Sequence, residues 1–426
     1  MFGLDRILSS PNVETKKGCF TVKIPGSKSI LLRLMLLMAY AKRDMTIQNY
    51  NPCSDVRELE AALQSYGYRI SGQDQTRIFK FDSQLCAQSQ HHYAFQQSAT
   101  AFRLWLSFLA ALPGISSQLS LSDILLFRGY APLQQALEAM GAKIILQGNI
   151  MQIQGCQLSG GQHNLPGNIS SQYASSLILA TPNMQHELLL KLSPFQVSQS
   201  YINLSLQMLR LFGGKAQLSG TQVQVHNQAL RLPTRFTVDA DFSTVAYYAA
   251  RAALQPPAVK IPLYLNPSLN QADEQILDFL KQMGARVRKT KKYVQIKAAP
   301  LKGANFDLKD SPDLMPLMAI LALFGQNPST LKSIGRLIYK ESNRIDGVCK
   351  ALQKLEAKYF LAQDSIKVYP LTHEPGKLKL DTQEDHRLVM AFSLLTQRYP
   401  QIQLSEYKSL CKSFPFGYQE LIAAPA

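Results

Sequence analysis

The sequence predicts an α/β fold of six repeated units, and three observations carry that expectation. First, a helix-ending signature recurs as LQSYGYRI at Leu63, LEAMGAKI at Leu137, LRLFGGKA at Leu209, LKQMGARV at Leu280 and LQKLEAKY at Leu352. Second, its spacing is steady, with steps of 74, 72, 71 and 72 residues from Gly67 to Gly141, Gly213, Gly284 and Glu356. Third, an alternating strand pattern follows each copy, and the 426 residues divided by 71 leave room for six such units.

Each part of the repeat has a local cause. The segment before the signature carries apolar residues at helical spacing. Glycine after its last turn supplies the left-handed C-cap that reverses the chain at once into a strand. The strands read as hairpins: 142–146 and 150–154 flank a Gly148-Asn149 turn, and 285–289 and 293–296 flank a Lys-rich one. Glu356 breaks the glycine rule in the fifth copy, and the sixth unit ends near the C-terminus without a hairpin. The period exceeds those of solenoids and propellers, so six small α/β subdomains grouped into larger domains are expected.

Composition limits the function classes. With 45 Lys+Arg against 29 Asp+Glu the formal charge is +16, while 46% of residues are hydrophobic and 17% charged. Such a chain is neither disordered, collagen-like nor a coiled coil. The charge calls for acidic partners: nucleic acid, anionic lipid or phosphorylated metabolites. Six scattered cysteines with no CxxC pair and no His at zinc spacing point to a reducing cytosol and to neither a structural metal nor a disulfide framework. The N-terminus lacks a targeting pattern, and the apolar stretches 34–40 and 104–115 are far short of the roughly 20 residues of a membrane span. A soluble, cytoplasmic, monomeric protein without cofactor is expected.

Three helix starts in the first half share a design. Pro25-Gly26-Ser27-Lys28-Ser29 leads into an apolar helix with Arg33 on the face of Ser29. Gln97-Ser98-Ala99-Thr100-Ala101-Phe102-Arg103 and Asn168-Ile169-Ser170-Ser171-Gln172-Tyr173 repeat it. Helix N-terminal amides with hydroxyls and a cation make an anion site, whereas each start alone is more often a simple cap. The second half offers Asp313 before MPLMAILALF, Lys340, Glu341 and Arg344 in YKESNR, Asp385-His386-Arg387, and Lys412 in KSFP. For these the ordinary readings are helix caps, a solvated ion pair and a structural histidine.

Taken together, PGSKS with Arg33, SATAFR, SSQY, Ser198 with Tyr201, PD at Asp313, KESNR, DHR and KSFP resemble the enolpyruvyl transferases, most closely those acting on shikimate 3-phosphate. The resemblance runs from about residue 22 to 414. It implies two domains, each of three βαβαββ units, here 21–235 and 1–20 plus 236–426, which close on substrate. It implies transfer of the enolpyruvyl group of phosphoenolpyruvate to the 5-hydroxyl of shikimate 3-phosphate through a tetrahedral adduct that expels phosphate. It implies Lys28, Ser29, Arg33, Ser170, Ser171, Gln172, Ser198, Tyr201, Asp313 and Lys340 as shikimate-phosphate contacts. Lys28, Ala99, Arg128, Gln172, Arg344, Arg387 and Lys412 fall on the phosphoenolpyruvate side. Asp313, Glu341 and Lys28 are the implied catalytic groups, with no metal.

The chain departs from the family at Leu32 and Gln96-Gln97, at Gly129 where Pro follows the arginine, and at Asn343 and Glu384. Ala99 stands where glyphosate-sensitive members carry Gly, which implies weak inhibition by that compound. Two other readings are weaker. A UDP-N-acetylglucosamine enolpyruvyl transferase typically places a Cys shortly before the arginine matched by Arg128, and 120–127 holds none. A nucleic-acid binder would interleave basic runs with aromatics, for which RVRKTKKY at Arg286 is the best stretch.

Overall fold

A computed structural model describes residues 13–16, 19–73, 75–89, 91–166, 170–193, 199–264, 266, 269–415 and 417. Its described strands form six sheets with one recurring plan. In five of them a parallel pair joins an antiparallel hairpin. Strand His92–Phe95, for instance, runs parallel to Ser116–Leu121, which pairs antiparallel with Ile150–Gln154, whose hairpin partner is Lys143–Gln147. The sixth sheet has only the parallel pair Leu378–Leu380 and Ile402–Leu404. The hairpin expected to be missing from the last unit is absent among the described residues.

The helix-ending glycines explain the regularity. Gly67, Gly141, Gly213 and Gly284 take φ of 129°, 108°, 90° and 97°, a region costly to residues with a Cβ. Glu356 follows the same path at φ 51°. The fifth copy therefore keeps the geometry and accepts the strain.

The chain divides into two units: Gly26–Asp239 with Asn266–Gln271, and Met1–Pro25, Ala240–Leu265 and Ala272–Ala426. Each has its own apolar core. In the first, helices Lys28–Ala41, Ala99–Ala110 and Ser171–Ala180 are almost wholly buried and pack on one another. In the second, Phe242–Leu254, Met315–Ala322 and His386–Arg398 do the same. These helices are apolar nearly all round, as burial on every side demands. A helix with no polar face has only its ends for polar work, and several of the motifs singled out above sit at or beside the N-termini of these inner helices, while KESNR opens helix Arg344–Lys354 and Lys412 ends the 3₁₀ turn Lys408–Lys412. No helix among the described residues is long and apolar enough to cross a membrane.

Candidate active site

In the first unit the chain approaches the Lys28 helix so closely that a Cβ on Gly26 would lie 2.1 Å from the Asn49 carbonyl oxygen. The Gly26 amide donates to that oxygen at 2.9 Å and the Ser27 amide to the Asp239 carbonyl at 2.8 Å. Ser27 makes no side-chain cap, so the ordinary cap reading fails there. It holds at Ser98 and Ser170, whose hydroxyls accept from the amides of Ala101 and Gln172. Lys28 Nζ lies 2.9 Å from Asp55 Oδ2 at the start of helix Ser54–Tyr66.

Two buried arginines organise this unit. Arg33, 2% exposed, donates from Nε to Ser205 Oγ (2.9 Å), from Nη1 to the Ser29 carbonyl (2.8 Å), and from Nη2 to Ser175 Oγ (3.3 Å) and the Tyr201 carbonyl (3.1 Å). Arg103, 3% exposed, donates to the carbonyls of Arg128 (2.7 Å) and Gly129 (2.6 Å), to Ser170 Oγ and to Gln172 Oε1, with its guanidinium 4.9 Å from the Tyr173 ring. Burial pushes both arginines down to about 10, partly offset by Tyr201 and Tyr173 respectively. Gln172 also donates to Thr100 Oγ1 at 2.7 Å, so Arg103 and Gln172 tie together the second and third helix starts. Ala99 is buried, Ser171 is buried, Ser29 is half-buried, and Arg128 Nη1 reaches the Gln97 carbonyl at 3.5 Å. Ser198 lies outside the described residues.

In the second unit the starts of helices Met315–Ala322, Arg344–Lys354 and His386–Arg398 bring charges together. Asp313 lies in the 3₁₀ turn Pro312–Leu314, just before helix Met315–Ala322. Its Oδ1 stands 3.0 Å from Lys340 Nζ and 2.7 Å from Arg344 Nη1, and its Oδ2 3.9 Å from Arg387 Nη2. Arg344, 2% exposed, forks onto Asp385 through Nε (2.7 Å) and Nη2 (3.2 Å). Arg387 bonds Asp273 Oδ2 and Ser243 Oγ, both at 2.8 Å. Glu341 Oε1 lies 3.3 Å from Lys412 Nζ, and its Oε2 2.8 Å from His386 Nδ1, within ion-pair range though not aligned as a hydrogen bond.

These contacts fix the protonation states. Burial pushes the Asp313 carboxyl up, but Lys340, Arg344 and Arg387 outweigh it and hold the group well below the usual range. Glu341 follows the same logic, with burial outweighed by His386, Lys412 and Arg344. Burial lowers Lys340, against the pull of Asp313. Glu341, Asp385 and His386 place one ligand atom each within 4.8 Å of one another, a spacing open to a metal. Arg344, Lys412 and the helix N-terminus already supply that cluster with positive charge. A cavity of about 570 Å³ in this unit lies at the C-terminal ends of the same inner helices, lined by Arg251, Phe324 and Gln397, and holds none of the groups above.

Sequence reasoning had no signal for Asp55, Asp273, Ser243 or the organising part of Arg103 beyond its apolar setting. Its structural reading of His386 left out the contact with Glu341. Two departures have plain causes. Gly129 sits at φ 76°, which Pro cannot adopt, and Asn343 Oδ1 accepts from the Asp346 amide as an N-cap, a task Asp would perform equally.

Repeated α/β units in two bodies, with cations and carboxylates gathered at helix starts, are the architecture of the enolpyruvyl transferases. The sequence matches the profile of EPSP synthase (3-phosphoshikimate 1-carboxyvinyltransferase) over residues 16–421, and the chain belongs to that family. It is similar to the 3-phosphoshikimate 1-carboxyvinyltransferases of Dehalococcoides mccartyi, 28% identical with 94% of each chain covered, and of Serratia proteamaculans, 29% identical with 94% of this chain and 95% of the other. The solved EPSP synthase of Acinetobacter baumannii shares the fold, with a TM-score of 0.78 at 22% identity over 97% of both chains.

Proposed function

We propose that the chain transfers the enolpyruvyl group of phosphoenolpyruvate to the 5-hydroxyl of shikimate 3-phosphate, releasing phosphate, in the route to aromatic amino acids. The family match across residues 16–421 carries this reading. Supporting it, both substrates are polyanions, and the two units present Lys28, Arg128, Lys340, Arg344, Arg387 and Lys412 beside helix starts, where guanidinium forks and ammonium groups meet phosphate and carboxylate.

In the first step the 5-hydroxyl oxygen bonds to the enolpyruvyl C2, its proton passing to Asp313, while C3 takes a proton from the Lys28 ammonium, the general acid, whose charge also stabilises the reacting anion. In the second, C3 returns a proton to Glu341 and the C2–O bond to phosphate breaks. Asp313 and Glu341 are both carboxylates in the free protein, held so by their cations. Anionic substrate draws on those same cations, so binding weakens their hold and moves the carboxylates toward useful basicity. Ser29, Ser170, Ser171, Gln172, Ser198, Tyr201 and Lys340 orient the acceptor. Arg33, its donors largely spent inside the fold, sets the acceptor's helix start in place.

The family resemblance implies closure on substrate, so scattering profiles with and without shikimate 3-phosphate plus inhibitor should differ. A phosphate-release assay with phosphoenolpyruvate decides the main reading. Turnover is expected with shikimate 3-phosphate and not with UDP-N-acetylglucosamine; folded protein that turns over only the second overturns it.

A further inference from the structure

Glu58 lies on helix Ser54–Tyr66 one turn after Asp55, so the two carboxylates share a helix face. Asp55 takes Lys28. Glu58 accepts three consecutive backbone amides, those of Gln96 (3.1 Å), Gln97 (2.9 Å) and Ser98 (3.2 Å). A run of N–H groups converging on one point is an anion cradle, and here its anion is a side chain 39 residues away from Gln97. The carbonyls of the same segment are also engaged. Gln96 O accepts from Ser122 Oγ, and Gln97 O from Arg128 Nη1 at 3.5 Å. The segment is thereby fixed from both sides, immediately before buried Ala99 and against Arg128.

We infer that Glu58 is a positioning residue for the phosphoenolpyruvate side: it holds the Gln96–Ser98 segment so that Ala99 and Arg128 are set for that substrate. This rests on the proposed function. The choice of a carboxylate is physical. Its two oxygens offer about four acceptor sites, enough for three amides, whereas an amide side chain offers one acceptor oxygen. Burial raises the Glu58 carboxyl above its ordinary value, with Asp55 adding to it and the three amides pulling the other way.

The test pairs Glu58→Gln and Glu58→Asp with hydrogen exchange and steady-state kinetics on the full chain. In Glu58→Gln the amides of residues 96–98 should lose protection. KM for phosphoenolpyruvate should rise about tenfold, with kcat and KM for shikimate 3-phosphate within about twofold of wild type. Glu58→Asp, which keeps the charge on a shorter stem, should recover part of the loss. A merely structural role predicts lower kcat or less folded protein at unchanged KM, and that result overturns the inference. So does a KM for phosphoenolpyruvate that falls when the charge is removed. Wild-type protein inactive toward both acceptors would instead overturn the proposed function, and protection at residues 96–98 unchanged in Glu58→Gln would still be read as failure of the inference.

Discussion

Single residues decide how far this chain follows its family. Ala99 places a buried methyl at the first turn of its helix, beside the segment that Glu58 fixes. If that methyl narrows the phosphoenolpyruvate side, Ala99→Gly should lower the glyphosate inhibition constant by tenfold or more. Equal constants for the two proteins would remove the steric account. Gly129 makes the opposite kind of demand. Its carbonyl accepts from Arg103 Nε (3.2 Å) and Nη2 (2.6 Å) and from the Tyr173 hydroxyl (3.2 Å) while its φ is 76°. Gly129→Pro restores the family residue but forces φ near −65° and turns that carbonyl away. It should cost activity at least tenfold, chiefly in KM for phosphoenolpyruvate, despite matching the family pattern. A fully active Gly129→Pro enzyme would show that Arg103 is anchored without that bond. Glu384, at φ 53° where the family has Asn, is a milder case, because Asn tolerates the left-handed region better than Glu.

At the scale of elements, the repeat was legible because its determinants are local. A glycine, a basic residue and an alternating run lie within a dozen positions, and the parallel-pair-plus-hairpin sheets follow from them. The motifs at inner helix starts were legible for the same reason. Their partners were not, since the bonds that organise the site join residues far apart in sequence: Arg103 to Gln172 across 69 positions, Arg387 to Asp273 across 114. No pattern in a window of ordinary length contains both ends. The fifth repeat offers a direct check on the local logic. Glu356 ends helix Arg344–Lys354 in the left-handed conformation that glycine supplies in four other copies. The Cβ clash in that conformation costs about 1 kcal/mol, so Glu356→Gly should raise the unfolding free energy by roughly that amount with kinetics unchanged. A variant of equal or lower stability in denaturant titration would mean that the side chain compensates for the strain.

Across the whole molecule, the +16 charge separates from the chemistry. In the second unit Asp313, Glu341, Asp385 and Asp273 face Lys340, Arg344, Arg387 and Lys412, four acids against four bases, so this cluster adds nothing to the excess. That balance fails in acid. Asp313, Glu341 and Asp385 are held below their ordinary values of 3.8, 4.5 and 3.8, each by cations outweighing burial. A carboxylate depressed in the folded state stabilises it fully above the unfolded pKa, and the contribution disappears as pH falls from there through the folded pKa. Between about pH 8 and pH 5 these groups should leave stability nearly flat. Below about pH 4.5 it should fall, because these carboxylates then take up protons in the unfolded chain while the folded cluster keeps them ionised, and the total charge climbs above +16. Urea titrations from pH 8 to pH 3 measure this directly. If the midpoint holds constant down to pH 3, the carboxylates are not carrying the cluster, and the electrostatic account of the second unit fails.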